Sequence, residues 1–513
     1  MKFKLLTFLL LISLSSNAQF TALWVAAECD SPVTGYSRIE DLFVDSNGIS
    51  YVNGTIDTLQ DQSPVYLSYD ANGQQRWRKT MNGFNFNYSY RLLPLPSGNI
   101  IYAGEYEDNS GTNNMVYTEL DALGDSVSGG ILNAPGFATG DDLDDVAIDG
   151  VGNVYLSGQI KVNSAFNAAA GRFDVGGNYR WLSSYPLLTG WNSAIARGIE
   201  MCGDTGFYQL VFNFTGFGSL IYGDTSGNYL WQTTLPVSLE EYHTQLAVDH
   251  IGNAIAGGRI NQFAGLVKVN ALGDTLWTRT ISFPGLSTAL TSVVNIKTDS
   301  NGNIYTLSTN SSSPGYSLIT AIDSNGIILW NDTARGFSNL YGRNKDFLHL
   351  ENNRLTFVTT KGIPWLYQYN LNGQRITDQQ LILPSILNPE VNAIDEAAGD
   401  LFLAGTGNAG FNIRRGFTAR LHSSTSALPD SPVKSSLLLY PNPASETLTI
   451  KFPDSFTGES IVMLYSTDGK LQEKLTVNER VTFMNLSSWY EGLYWIIVQN
   501  GDEQLSGKFI VRH

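Results

Sequence analysis

The chain is poor in cysteine, in histidine and in charge. Two Cys in 513 residues exclude a disulfide-stapled scaffold and a cysteine-based zinc site. Cys29 and Cys202 fall in distant parts of the chain and are expected as two buried thiols rather than a bridge. The five His are His243, His250, His349, His422 and His513, and none stands in a His-Glu-x-x-His spacing. There is no Gly-x-Ser-x-Gly elbow. Charged residues make up 15% against 42% hydrophobic, too few and too apolar for a disordered chain. Basic side chains are outnumbered 31 to 47, a net charge of −16. A nucleic-acid binder carries a basic footprint, so that class is disfavoured. No stretch reaches the about 20 apolar residues that cross a bilayer as a helix.

What is abundant is 50 Gly, 25 Tyr, 25 Phe and 10 Trp. This composition suits many short strands joined by tight turns and predicts an all-β chain. Residues 1–18 read as a secretory signal peptide. Lys2 and Lys4 form the charged start, Leu5 to Leu14 the apolar run, and Ser16-Asn17-Ala18 a small-x-small cleavage site before Gln19.

Residues 19–422 contain a repeat of about 50 residues, and a repeat of that period marks a propeller or solenoid. Each unit has two Gly turns. The first follows Asp-x-x-Gly-Asn-x-Tyr-x-x-Gly, as from Asp45 to Gly54 and from Asp149 to Gly158. It recurs at Asp249, Gly252, Asn253 and at Asp299, Gly302, Asn303. Weaker copies hold Gly98, Gly206, Asn352-Asn353 and Gly399. The second follows Asp-x-x-Gly-x-x-x-Trp, ending at Trp77, Trp181, Trp231 and Trp330, with a near match ending at Trp277. Copies at Gly124 and Gly373 lack the Trp. Asp at the first turn position accepts bonds from the amides that follow, and Gly supplies the positive φ of a bulged hairpin.

Each unit therefore reads as four strands, a to d, with the Trp of strand d wedged between neighbouring sheets. In the first unit these are about 39–44, 49–54, 64–69 and 74–79. Four-stranded units of this length predict a β-propeller. Eight blades are expected, with seven as the alternative. Trp24 looks like an unpaired strand d and 416–421 like an unpaired strand c, which together complete one blade and close the ring. The first turn resembles a bacterial β-propeller repeat, and the second resembles pyrroloquinoline-quinone-type propeller repeats. Those resemblances support the fold and carry little function, because propellers host unrelated activities.

The C-terminal part has another texture. A linker is expected over 423–435, rich in Ser and Thr with Pro429 and Pro432. Tyr440-Pro441-Asn442-Pro443 then precedes alternating strands at 447–451, 462–465, 492–498 and 508–511, a pattern for a small immunoglobulin-like β-sandwich. Residues 436–513 resemble the type A C-terminal sorting domain of the bacterial type IX secretion system. The resemblance rests on Tyr440, Pro441, Asn442, Pro443, Gly492, Tyr494 and Lys508. It departs at His513, where a Lys is more usual. It implies that the secretion machinery is a partner, and that the domain is cut off once the passenger is released or attached to surface lipopolysaccharide.

Turns a–b and c–d share one face of the ring. The longer, variable b–c and d–a connections share the other, where a binding site is expected. Aromatic candidates there are Phe84, Phe86, Tyr88 and Tyr90, and Tyr185 with Trp191, which either stack on sugar rings or pack between blades. His243, after Glu240-Glu241-Tyr242, is the one His singled out. Asp141, Asp142, Asp144 and Asp145 form the densest acidic cluster and a weak Ca²⁺ candidate. The cluster lacks the Asp-x-Asp-x-Asp-Gly spacing with a distal Glu. Asp57-Thr58-Leu59, Asp125-Ser126-Val127 and Asp274-Thr275-Leu276 resemble the Asp-Ser/Thr-apolar O-glycosylation acceptor of bacteria with this secretion system.

Residues 20–433 carry 38 acidic and 22 basic side chains, so the ring holds the negative charge. No catalytic residues and no cofactor are predicted, and a monomer is expected. Two functions fit: a secreted binding module for a glycan or protein, or a polysaccharide-cleaving or quinoprotein-like enzyme.

Overall fold

The computed structural model describes residues 19–28, 37–57, 62–80, 85–107, 113–132, 142–162, 165–213, 216–238, 245–282, 291–310, 315–336, 348–359, 364–384, 386–408, 414–424, 437–452, 458–466, 471–500 and 503–512. The expected signal peptide and most of the expected linker lie outside them. Among the described residues every regular element is a β-strand. The chain divides into two units, 1–425 and 426–513.

The first unit holds eight four-stranded antiparallel sheets. Sheets 1 to 7 follow in chain order over 37–80, 85–132, 142–184, 195–238, 245–281, 291–335 and 348–380. Sheets 4 and 5 are further joined by a single strand pair, Ser238 with Arg259. Sheet 8 takes its first three strands, Leu387–Ala397, Asp400–Asn408 and Arg414–Ser424, from the end of the unit. Its fourth strand is Gln19–Glu28, from the beginning, which runs antiparallel to the third with Trp24 opposite Arg420. The two strands left over in the sequence therefore do share one sheet. First strands of successive sheets touch all the way round, sheet 8 to sheet 1 included, so they form the inner ring.

The hairpin chemistry is local and regular. Asp323 Oδ1 accepts the amides of Asn325 and Ile327 at 2.9 and 2.8 Å, and Gly326 follows at φ 84°. The same bracket occurs at Asp45, Asp70, Asp121, Asp224, Asp249 and Asp299, and Asn270 and Asn370 replace the carboxylate with an amide oxygen. It leaves few polar groups of the turn unpaired, so the turn can pack against the adjacent sheet.

That packing is done by the predicted Trp wedge. Each fourth-strand Trp lies over the c–d turn of the next sheet and donates its indole N–H to a turn carbonyl. The pairs are Trp24 to Ala71, Trp77 to Ala122, Trp181 to Thr225, Trp231 to Ala271, Trp277 to Ser324 and Trp330 to Leu371, at 2.8–3.1 Å. Inner strands add a second fastening. A register shift marks a bulge in the first strands of sheets 1, 2, 3, 4, 6 and 8. Carboxylates near it, buried at Asp41 and Asp145 and half-buried at Asp395, accept amides of the neighbouring sheet, Asp41 from Leu92, Asp145 from Ile199 and Asp395 from Val44.

The second unit has a three-stranded and a four-stranded sheet around one apolar core that includes Leu448, Ile450, Val462, Leu464, Ile496, Val498 and Phe509.

Candidate functional site

A cavity of about 590 Å³ lies between sheets 6 and 7. Its walls are the third and fourth strands of both sheets, Tyr316–Ile322, Ile328–Arg335, Trp365–Asn370 and Arg375–Gln380. Tyr316 and Trp365 open their third strands and Arg335 ends its fourth. The cavity therefore sits at the b–c and d–a end of the sheets, the face where variable loops place a site.

Period-2 alternation puts Trp365, Tyr367 and Tyr369 on one face of a strand, so their rings form a wall facing sheet 6. Trp365 and Tyr367 are near parallel, with centroids 6.5 Å apart and planes at 29°. Arg375, two residues past the Gly373 turn, is pinned as a plate over this wall. Its guanidinium lies 5.5 Å from the Tyr367 centroid and 5.6 Å from that of Tyr369. Nε and NH2 donate to Asp332 Oδ2 at 3.1 and 2.5 Å, NH1 to Asp378 at 3.1 Å, and NH2 also to the Thr333 carbonyl at 3.0 Å. Burial is the largest single influence and works against the cation, but the Asp332 and Asp378 hydrogen bonds and the Asp332 and Tyr369 charges together outweigh it and raise the Arg375 pKa.

Burial raises the Tyr367 phenol, although the Arg335 amide it accepts at 3.0 Å and the Arg375 charge pull the other way. Burial and the Asp332 charge raise Tyr369, whose hydroxyl donates to Asp332 at 3.0 Å. Both phenols stay neutral near pH 7. Asp378, which lines the cavity, and Asp332 behind it are both ion-paired to the one Arg375 guanidinium. Arg335 is exposed, and among the described residues its guanidinium has no ion-pair or hydrogen-bond partner. Among the described residues the site offers aromatic faces, a fixed polar plate and one cation without a partner, which is equipment for recognition.

The residues singled out in the sequence are placed otherwise. Phe84, Asp141 and His243 lie outside the described residues, as do the side chains of Phe86, Tyr88 and Tyr90, whose backbone belongs to strand Asn85–Pro94. Cys29 also lies outside them, whereas Cys202 is a free, half-buried thiol.

Tyr185 is 1% exposed, in a core with Phe207, Trp181 and Trp191. Its ring fills the joint between sheets 3 and 4, so it packs and does not face solvent. Trp191 is half-buried against the same core.

The described aspartates of the acidic cluster are held apart by different partners. Asp142 accepts from Gln159 at 2.5 Å, Asp144 is bound by Arg197, and Asp145 meets the Arg91 guanidinium at 3.5 Å and the Ile199 amide at 2.8 Å. They fasten sheet 3 to its neighbours and do not converge on one point.

The cavity residues themselves were missed. The one signal for them was the fourth strand of sheet 7, where the Trp gives way to a strand carrying Arg375 and Asp378.

In the second unit the Tyr440-Pro441-Asn442-Pro443 segment is fastened to the last strand, Glu503–Val511. Asn442 Nδ2 donates to the Lys508 carbonyl at 3.2 Å, and Oδ1 accepts the Ile510 amide at 2.9 Å. The Ala444 amide donates to the Ile510 carbonyl at 2.8 Å. Tyr494 is buried between Trp489 and Phe509 and donates its hydroxyl to the Tyr490 carbonyl at 2.8 Å. Tyr440 and Lys508 stay exposed.

Among solved structures, the chain is similar to Sqt1 from Chaetomium thermophilum, at 12% identity and a TM-score of 0.47, covering 78% of this chain and 100% of that one. It is also similar to the polysaccharide lyase Uly1, at 9% identity and a TM-score of 0.44, covering 75% of this chain and 90% of that one. A protein of unknown function from Dyadobacter fermentans is similar at 9% identity and a TM-score of 0.38, covering 79% and 99%. No curated protein matches the chain. Among the described residues no helix is long and apolar enough to cross a membrane. Residues 438–512 match the family described as Secretion system C-terminal sorting domain. The chain thus carries, after a β-propeller-like ring, the sorting domain that marks proteins exported by the type IX system to the cell surface or the extracellular space.

Proposed function

We propose that the ring is a binding module that captures an extracellular glycan in the cavity between sheets 6 and 7. The observation that carries this reading is the wall of Trp365 and Tyr367 beside the immobilised Arg375 and the unpaired Arg335. Sugar rings present CH faces to aromatic faces and hydroxyls to fixed polar groups, and each half of that chemistry is available here. The reading is of binding without turnover, because Asp332 and Asp378 are each engaged by Arg375.

The purified chain is screened on a glycan array, and the best oligosaccharide is titrated by calorimetry. Trp365→Ala is expected to weaken binding about 10-fold or more, the worth of one aromatic contact of about 1.4 kcal/mol. A blank array, or an unchanged Trp365→Ala affinity, would sink the glycan reading. Release of new reducing ends from the bound glycan would replace binding by catalysis.

A further inference from the structure

The joint between sheets 7 and 8 lacks the Trp wedge, since Thr377 occupies the position that Trp330 holds in sheet 6. On the inner ring of the same joint stand three side chains of a different kind. His349 and Glu351 lie two residues apart on the first strand of sheet 7, Leu348–Glu351, so they share its face toward sheet 8. The opposite face of that strand carries Leu348 and Leu350 into the core shared with sheet 6. Asp395 comes from the first strand of sheet 8. One ligand atom from each of the three lies within 4.8 Å of the other two. His349 and Asp395 are half-buried and Glu351 is exposed. His349 Nε2 stands 3.0 Å from Glu351 Oε2. Asp395 is oriented by the amides of Val44 at 2.6 Å and Glu396 at 2.9 Å.

We propose that His349, Glu351 and Asp395 bind one divalent transition-metal ion of the zinc class, bridging sheets 7 and 8. One imidazole nitrogen and two carboxylate oxygens form the three-protein-ligand set that zinc accepts, with water in the fourth position. An imidazole disfavours calcium and magnesium, which take oxygen ligands. Two carboxylates balance the dication, so no net charge is left half-buried. Bonds of about 2.1 Å around a tetrahedral ion space its ligands about 3.4 Å apart. The set therefore needs to contract by up to about 1.4 Å at its widest. Glu351, whose side chain is 43% exposed, has room to make that movement. Main-chain amides on Asp395 do what outer-shell partners do elsewhere, holding a ligand in its orientation. The ion would fasten the inner strands at a joint whose outer strands are pinned by Gln379, bonded to the Phe20 amide at 2.7 Å and the Phe20 carbonyl at 2.8 Å.

The full chain, stripped with EDTA, is titrated with zinc chloride and separately with calcium chloride by calorimetry. One zinc per chain is expected, with calcium at least about 100-fold weaker. His349→Ala and the near-isosteric Glu351→Gln should each weaken zinc more than about 10-fold, while circular dichroism reports an unchanged fold. His422→Ala removes an imidazole paired with Asp400 instead, at 2.6 Å, and should leave the affinity as it was. Cobalt(II) loaded in place of zinc should show the visible absorption of a four-coordinate site, lost in His349→Ala. No stoichiometric zinc, or affinity unchanged in both His349→Ala and Glu351→Gln, or affinity lost in His422→Ala, would each overturn the assignment.

Discussion

Removing one Trp wedge tests how the ring holds together. Trp330 donates to the Leu371 carbonyl at 2.8 Å. Its ring stacks on Tyr369 at 6.0 Å and 16° and meets Tyr305 at 6.5 Å. A fully buried Trp or Phe cut to Ala costs about 3–5 kcal/mol. Trp330 is half-buried, which brings the packing part to about 2 kcal/mol, and the indole bond adds about 1 kcal/mol. Trp330→Ala should therefore cost the ring about 3 kcal/mol. Trp330→Phe, which keeps most of the ring area and loses the N–H, should cost about 1 kcal/mol.

The turn gives an independent view of the same contact. A Cβ on Gly373 would stand 2.6 Å from Trp330, and the residue is at φ 83°. Gly399 has a similar φ of 82° with open space around it. Gly373→Ala should thus cost more than Gly399→Ala, whose penalty is the left-handed backbone alone, about 1 kcal/mol. Urea unfolding followed by far-ultraviolet circular dichroism reads all four variants, with an unchanged slope showing that stability rather than compactness has moved. The wedge is refuted if Trp330→Ala shifts stability by less than about 0.5 kcal/mol, the ordinary surface range, or if both glycine variants cost the same.

Two further outcomes are expected. Asp249 is buried against Lys268 at 2.8 Å. Burial alone would raise its carboxyl, but the Lys268 and Asn253 bonds lower it below the usual carboxylate range. Its folded pKa is thus below the unfolded value of about 3.9, so its contribution is complete above about pH 4 and fades as pH falls through the folded value. Asp249→Asn leaves the buried Lys268 unpaired and should cost about 3–5 kcal/mol at pH 7. Melting curves from pH 7 to pH 3 should show that gap narrowing only at the acid end, and a gap that closes above pH 5 contradicts it. In the sorting unit, Asn442→Ala removes both bonds to the last strand and should lower its stability by about 1–2 kcal/mol. Cell fractionation should then find more of the chain retained in the periplasm, as deletion of 436–513 should also do, and normal secretion of the deletion contradicts the role of the domain.

Much of the ring was legible because its chemistry is local. Asp45 or Asp323 organises a hairpin by accepting the amides two and four residues further on, so a few letters of sequence specify the turn. The cavity was not legible because Trp365, Tyr367 and Arg375 come from one sheet and Tyr316 and Arg335 from the next. Only the angle between sheets brings them together. The acidic run 141–145 is dense in sequence, yet its described members have separate partners. The bulge between Leu143 and Asp145 shifts the strand register, and Asp144 and Asp145 then meet different residues. Tyr185 had two readings, ligand contact or packing, and its burial in the sheet 3–4 core favours packing.

The two repeats without a Trp are where irregularity carried information. A wedge requires a c–d turn in the following sheet, because the turn supplies both the carbonyl and the glycine that accepts the ring. Sheet 8 has no such turn, since its third and fourth strands come from opposite ends of the unit. A Trp at Thr377 would have had nothing to cap. In its place Gln379 makes paired bonds to Phe20, the backbone of the strand that closes the ring. Sheet 2 has Ser128 at the wedge position and does face a turn, at Gly177, yet there Tyr117 and Ser128 approach the glycine instead. Absence of the Trp is therefore necessary at the seam and merely tolerated elsewhere. The degenerate copy at 370–377 marks the joint where the ring is closed by pairing between strands from its two ends.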